Sequence, residues 1–68
     1  MRLSTDLDSI DLELLRILQT NGRISQGALA EQVGLSSPAV AERLRKLEDR
    51  GIIRGFHAKL DPRFLALD

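Results

Sequence analysis

LSSPAVAERLRKLEDRG (residues 35–51) decides the fold. On a helical wheel of about 100° per residue, Val40, Leu44 and Leu47 fall in one narrow stripe, which has to face other helices. Ala39, Arg43, Lys46 and Arg50 gather on the flank, while Arg45 points elsewhere, near Asp49. Ser36, Ser37 and Ala39 keep the N-terminal end slim. Pro38 suits a first turn, where its missing N–H costs nothing. It also disfavours helical geometry in the residue before it, so either Ser36 or Ser37 serves as the cap. Gly51 ends the helix.

Upstream, two more helix starts repeat one pattern: an apolar residue, a capping residue, and an apolar residue four positions after the cap. The triplets are Leu7–Asp8–Leu12, Ile24–Ser25–Leu29 and, for the opening stretch, Leu35–Ser36–Val40. The cap oxygen takes an orphan backbone N–H and the apolar pair staples the turn. The first helix is expected over Ser9 to Thr20, with Ile10, Leu14, Leu15 and Leu18 facing the core and Asn21-Gly22 ending it. The second runs from about Gln26 to Val33, buries Leu29, Ala30 and Val33, and stops at Gly34, which supplies left-handed backbone.

Downstream, the pattern changes period. In IIRGFHAKL (52–60), Arg54, Phe56, Ala58 and Leu60 alternate with Gly55, His57 and Lys59. That is strand periodicity over 53–60, with Phe56, Ala58 and Leu60 on the buried face, broken by Asp61-Pro62. A strand needs a hydrogen-bonded neighbour. No hairpin turn follows, and Met1 to Thr5 has little strand character. The simplest partner is the same strand of a second copy in a two-fold antiparallel pair. The expected fold is therefore mainly α: a three-helix, winged-helix-like helix-turn-helix over 1–52, one β-strand over 53–60 pairing across a homodimer, and a linker-like tail over 61–68.

Composition narrows the function. Sixty-eight residues make one domain at most, with formal net charge zero and no cysteine. Ordering costs about 1.5 kcal/mol per residue and nearly cancels burial at this size, so tight packing or a second chain has to supply the surplus. Without cysteine and with a single histidine, neither a disulfide nor a thiolate metal site forms; no metal and no cofactor are expected. No signal peptide or membrane span is visible, which fits a cytoplasmic protein. The charge is unevenly placed: residues 1–35 hold three arginines against five acids, whereas residues 36–59 hold six cations against three acids. For docking on phosphates, that placement matters more than the total.

A short helix, a tight glycine turn and a second helix that is basic and small-sided at its start describe a helix-turn-helix. The second helix has to be slim to enter the DNA major groove. Arg43 and Lys46 are the expected main contacts. Ser36, Ser37, Ala39 and Glu42 lie near base edges, and Arg50 and Arg54 neutralise backbone phosphates. Helix N-terminal N–H groups add phosphate affinity. Against this stands a plain solvated face, for which Glu42, Glu48 and Asp49 speak. Catalysis has little support. Asp8 and Asp11 lie a turn apart where a helix favours negative charge. His57 alternates outward as a solvated or dimer-contact side chain, and no nucleophile motif or phosphate loop is present. A winged helix that binds protein instead of DNA is the other alternative.

The run from LDSIDLELLRILQTNGR through ISQGALAEQVGLSSPAVAERLRKLEDRGIIRGFHAKLDP, Leu7 to Pro62, resembles the N-terminal domain of the Lrp/AsnC (feast/famine) prokaryotic transcription regulators. Leu7-Asp8 with Asp11, Asn21-Gly22-Arg23, Leu29-Ala30, Gly34-Leu35-Ser36, Val40, Arg43, Leu44, Leu47-Glu48, Gly51, Ile53 and Asp61-Pro62 carry the likeness together. Ala28 stands where a glutamate is common in the family. The resemblance implies a homodimer on double-stranded DNA. Family members continue into a ligand-sensing α/β domain, so an amino-acid effector is implied only for a chain that carries it. Both a fragment of such a regulator and a stand-alone domain fit the sequence. Siroheme decarboxylases resemble the same family, which keeps a fragment of such an enzyme as an alternative.

Overall fold

The computed structural model describes residues 7–64. Met1 to Thr5 and the last four residues of the tail, named above, lie outside them. Three helices account for the order: α1 Ser9–Thr20, α2 Gln26–Val33 and α3 Ser37–Asp49, followed by a single 3-10 turn at Pro62–Phe64.

Local chemistry sets each boundary. Asp8 caps α1 by accepting from the Asp11 N–H, and the Asp11 side chain accepts from the Asp8 N–H, so a full capping box closes the first turn. Asn21 closes the other end with its N–H on the Ile17 carbonyl. Ser25 caps α2 through the Ala28 N–H. Ser36, not Ser37, caps α3: its hydroxyl accepts from the Ala39 N–H, Ser37 is the first helical residue, and Pro38 sits inside the first turn. The bias of proline on its predecessor is overridden there by the cap geometry at Ser36. After α3, the Gly51 and Ile52 N–H groups reach the carbonyls of Glu48 and Leu47, a Schellman closure with Gly51 at φ 76°.

The core sits where the three helices meet. Leu14 and Ile17 of α1, Leu29 and Ala30 of α2 and Val40 of α3 form one buried cluster, with Ile10, Leu18, Ile24, Val33, Leu35 and Leu44 packed around it; Leu47 is buried too. Ile17 is a core residue that the sequence reading passes over. Leu15, which it counts as core, is only half-buried and lines a groove with Leu18, Ile52, Ile53 and Phe56. Leu12, the far half of the first staple, is 52% exposed. The other two staples hold, because Ile24 and Leu35 pack on the core.

Gly34 adopts φ 77° between α2 and α3, and its N–H and that of Leu35 both donate to the Ala30 carbonyl. Nothing lies within 4 Å of a Cβ added there, so any cost of substitution is backbone strain alone. Gly34→Val is expected to lose roughly 1–2 kcal/mol, the left-handed penalty of an L-residue. In a domain of this size that lowers Tm by about 5–15 °C. A thermal melt unchanged by the substitution would contradict this account of the turn.

Beyond α3 the structure departs from the sequence expectation. Residues 54–60 form neither helix nor strand, and no strand is assigned among the described residues. The physical reason is that a strand needs a hydrogen-bonded neighbour, and among the described residues the segment has no ladder to join. Its apolar side chains are on the surface, with Phe56 51% and Leu60 61% exposed and Ala58 exposed as well.

Candidate nucleic-acid interface

The stripe that buries Val40 and Leu47 fixes the rest of α3. It turns Ala39, Arg43, Lys46 and Arg50 to one flank and Glu42, Arg45 and Asp49 to the neighbouring one. Arg45 donates to Glu42 from Nε and Nη2 at 3.2 and 2.7 Å, and to Asp49 from Nη1 at 2.7 Å. The three side chains are all more than half exposed, so the pairs add little stability. They do spend the Arg45 charge on their own face, which is left net acidic. The Arg45 hydrogen bond holds the Glu42 carboxyl below its usual range. The solvated-face alternative thus describes the Glu42–Arg45–Asp49 side of α3. Lys46 differs: it is 65% exposed and its contact with Glu42 is a loose 4.0 Å.

Arg43 is not the exposed side chain the sequence suggests. Its Nη1 donates to both oxygens of Asp8 at 2.8 Å and to Asp11 Oδ1 at 3.0 Å, which ties the N-terminus of α1 to the middle of α3. Its side chain is 29% exposed and that of Asp11 15%. The two capping carboxylates read from sequence as helix-start residues are also the partners of the central basic residue. A shallow cleft lies between the elements, lined by Asp8, Asp11, Arg43, Lys46, Leu47, Asp49 and Arg50.

The N-terminus of α3 is less open to anions than its sequence implies. Ser36 Oγ is used as the cap and takes the Ala39 N–H at 3.3 Å, and Pro38 has no N–H. Of the first three helical positions, only Ser37 keeps an N–H that the cap does not engage. Ser36 and Ser37 are nonetheless exposed, Ala39 and Arg43 half-buried, and Glu42, Lys46, Arg50 and Arg54 exposed. Arg54 leaves the helix flank and lines the groove under α1 with Ile52, Ile53 and Phe56. Among the described residues no group of carboxylates and histidines is arranged to hold a metal, and no helix is long and apolar enough to cross a membrane.

Asp8 titrates in step with this geometry. Its bond from the Asp11 backbone, and then its bond from Arg43, hold its carboxyl below the ordinary 3.8. A carboxyl depressed in the folded state stabilises the fold above its unfolded pKa, and that contribution is lost as pH falls through the folded value. Melts taken across pH are therefore expected to be level from neutrality to about pH 5 and to decline below about pH 4. Asp8→Asn should flatten that decline. An acid limb as steep in the variant as in the unmodified chain would contradict the assignment.

Comparison with known proteins places the fold in a family. A family model described as "Winged helix-turn-helix DNA-binding" matches residues 7–54. The leucine-responsive regulatory protein of Rhizobium meliloti (strain 1021) is 47% identical over 68 residues, which is 100% of this chain and 44% of that protein. Among solved structures, an AsnC family transcriptional regulator from Agrobacterium tumefaciens superposes with TM-score 0.78 at 40% identity, covering 84% of this chain and 37% of that one. LrpC of B. subtilis superposes with TM-score 0.77 at 39% identity, covering 90% and 44%. The chain spans less than half the length of these relatives. The first two carry the names of regulators. The chain belongs to the winged helix-turn-helix DNA-binding family, as an N-terminal helix-turn-helix domain of the Lrp/AsnC type.

Proposed function

We propose that the chain binds double-stranded DNA sequence-specifically, as the DNA-reading unit of a cytoplasmic transcription regulator of the Lrp/AsnC type. The observation that carries this is the sorting of charge on α3. One flank pairs its two carboxylates with Arg45, while Lys46 projects from the other beside Arg43 and Arg50. In this reading α3 lies in the major groove. Ser37, Ala39 and Glu42 approach base edges, Ser36 approaches them through its backbone, and Arg43, Lys46, Arg50 and Arg54 meet phosphates or bases.

The working unit is a homodimer. Residues 1–52 act as the helix-turn-helix, 53–60 as a reduced wing that becomes a strand on pairing with its copy, and 61–68 as the linker. Three observations support the dimer: the backbone of 54–60, which joins no ladder among the described residues, the exposure of Phe56, Ala58 and Leu60, and the apolar groove beside them. Two-fold pairing also suits half-sites one DNA turn apart, roughly 34–36 Å. An amino-acid effector of the kind the relatives' name implies belongs to a following domain in this reading, not to these 68 residues.

A mobility-shift titration against genomic fragments at two salt concentrations tests the function. Four cations per chain, roughly eight phosphate contacts per dimer, weaken binding about 10⁴-fold between about 50 and 200 mM salt. Retardation that ignores salt, or no retardation at either concentration, would contradict it.

A further inference from the structure

Two acidic residues sit beside a surface that has to meet phosphates, and helix capping alone does not explain their orientation toward α3. We infer that Asp8 and Asp11 are positioning residues of the DNA-binding surface. They grip Arg43 by one nitrogen and thereby fix the opposite edge of its guanidinium for a single DNA phosphate. The inference rests on the DNA-binding reading above.

The geometry is specific. All three carboxylate contacts of Arg43 fall on Nη1. Nε and Nη2 have no hydrogen-bond partner among the described residues, and the side chain keeps 29% of its surface exposed. A guanidinium is planar, with five donors in a fixed fork. Holding Nη1 between two carboxylates therefore sets the direction of the Nε–Nη2 edge. The carboxylates are themselves fixed, since Asp8 and Asp11 accept each other's backbone N–H in the capping box. Order passes from the first turn of α1 to the middle of α3. An arginine held in this way gives up little rotamer freedom on meeting a phosphate, whereas Lys46, 65% exposed, gives up much more.

Charge alone argues the opposite sign, which makes the inference testable. Two carboxylates near a polyanion repel it, so removing them should tighten binding if they do nothing else. The test uses the whole 68-residue chain and mixed-sequence duplex DNA at low salt. Asparagine caps helices as well as aspartate does, so the double substitution Asp8→Asn, Asp11→Asn keeps the first turn and removes the grip. Binding is expected to weaken about ten-fold. The salt slope should fall in magnitude by about 2 for the dimer, one contact from each chain, uniformly across sequences, with the melt showing a folded domain. Arg43→Lys keeps the charge but has no second edge to offer once paired, and should lose about as much. A folded double variant that binds as tightly as the unmodified chain, or tighter, overturns the inference and leaves the DNA-binding reading intact. If the double variant does not fold, unchanged affinity in Arg43→Lys overturns it equally. An unmodified chain that fails to bind duplex DNA overturns both.

Discussion

Leu14→Ala is expected to bring the melting midpoint of the chain close to room temperature. Leu14 is fully buried and lies in the cluster that joins all three helices, with Leu29 from α2 and Val40 from α3. Truncating such a leucine removes its transfer energy and leaves a cavity, a loss of roughly 2–5 kcal/mol. A domain of this length holds only about 3–10 kcal/mol in total. Circular dichroism melts check this, with Leu12→Ala as the comparison. Leu12 lies two positions away on the same helix and is half exposed, so its truncation should cost little. Equal losses in the two variants would mean that the core is not where the helices place it.

Phe56→Asp is expected to abolish dimer formation and, with it, most duplex affinity, while the helical core stays folded. Phe56 is 51% exposed in the single chain, so the helices do not depend on it. It lines the apolar groove with Leu15, Leu18, Ile52 and Ile53, next to backbone that finds no hydrogen-bonded ladder among the described residues. A carboxylate buried there between two chains would be unpaired, and unpaired buried charge is strongly disfavoured. Separating two recognition helices also halves the phosphate contacts. Sedimentation of the unmodified chain and the variant at about 100 μM, far above the Kd of any stable dimer, makes the comparison direct. A monomeric unmodified chain would contradict the dimer, and a dimeric variant would move its contact away from Phe56.

The helices were legible in the sequence because their ends are local. Asp8, Ser25 and Ser36 satisfy N–H groups three positions ahead, and Gly34 and Gly51 turn left-handed where the apolar period ends. What local pattern does not encode is the rotation of each helix against its neighbours. That is why Ile17 was missed while Leu15 was counted as core. Arg43 is the sharper case. Its partners lie 32 and 35 residues away, and Asp8 and Asp11 already had a sufficient local explanation as caps. The strand over 53–60 is a different case: its alternation is present in the sequence, but a strand is a property of two neighbours, and no ladder partner for it lies among the described residues. For the candidate interface, the wheel placed the cations on one flank. It could not show that Arg45 would be neutralised, that Ser36 would spend its hydroxyl on the cap, or that Arg43 would be held.

The central claim is that the basic flank of α3 is the surface that meets DNA, and a map of amide shifts as duplex DNA is added to the labelled chain tests it most directly. The account predicts perturbations concentrated from Ser36 to Arg50, extending to Asp8 and Asp11 through Arg43 and fading as salt is raised. Shifts confined to the groove of Leu15, Ile52, Ile53 and Phe56, with α3 silent, would contradict it.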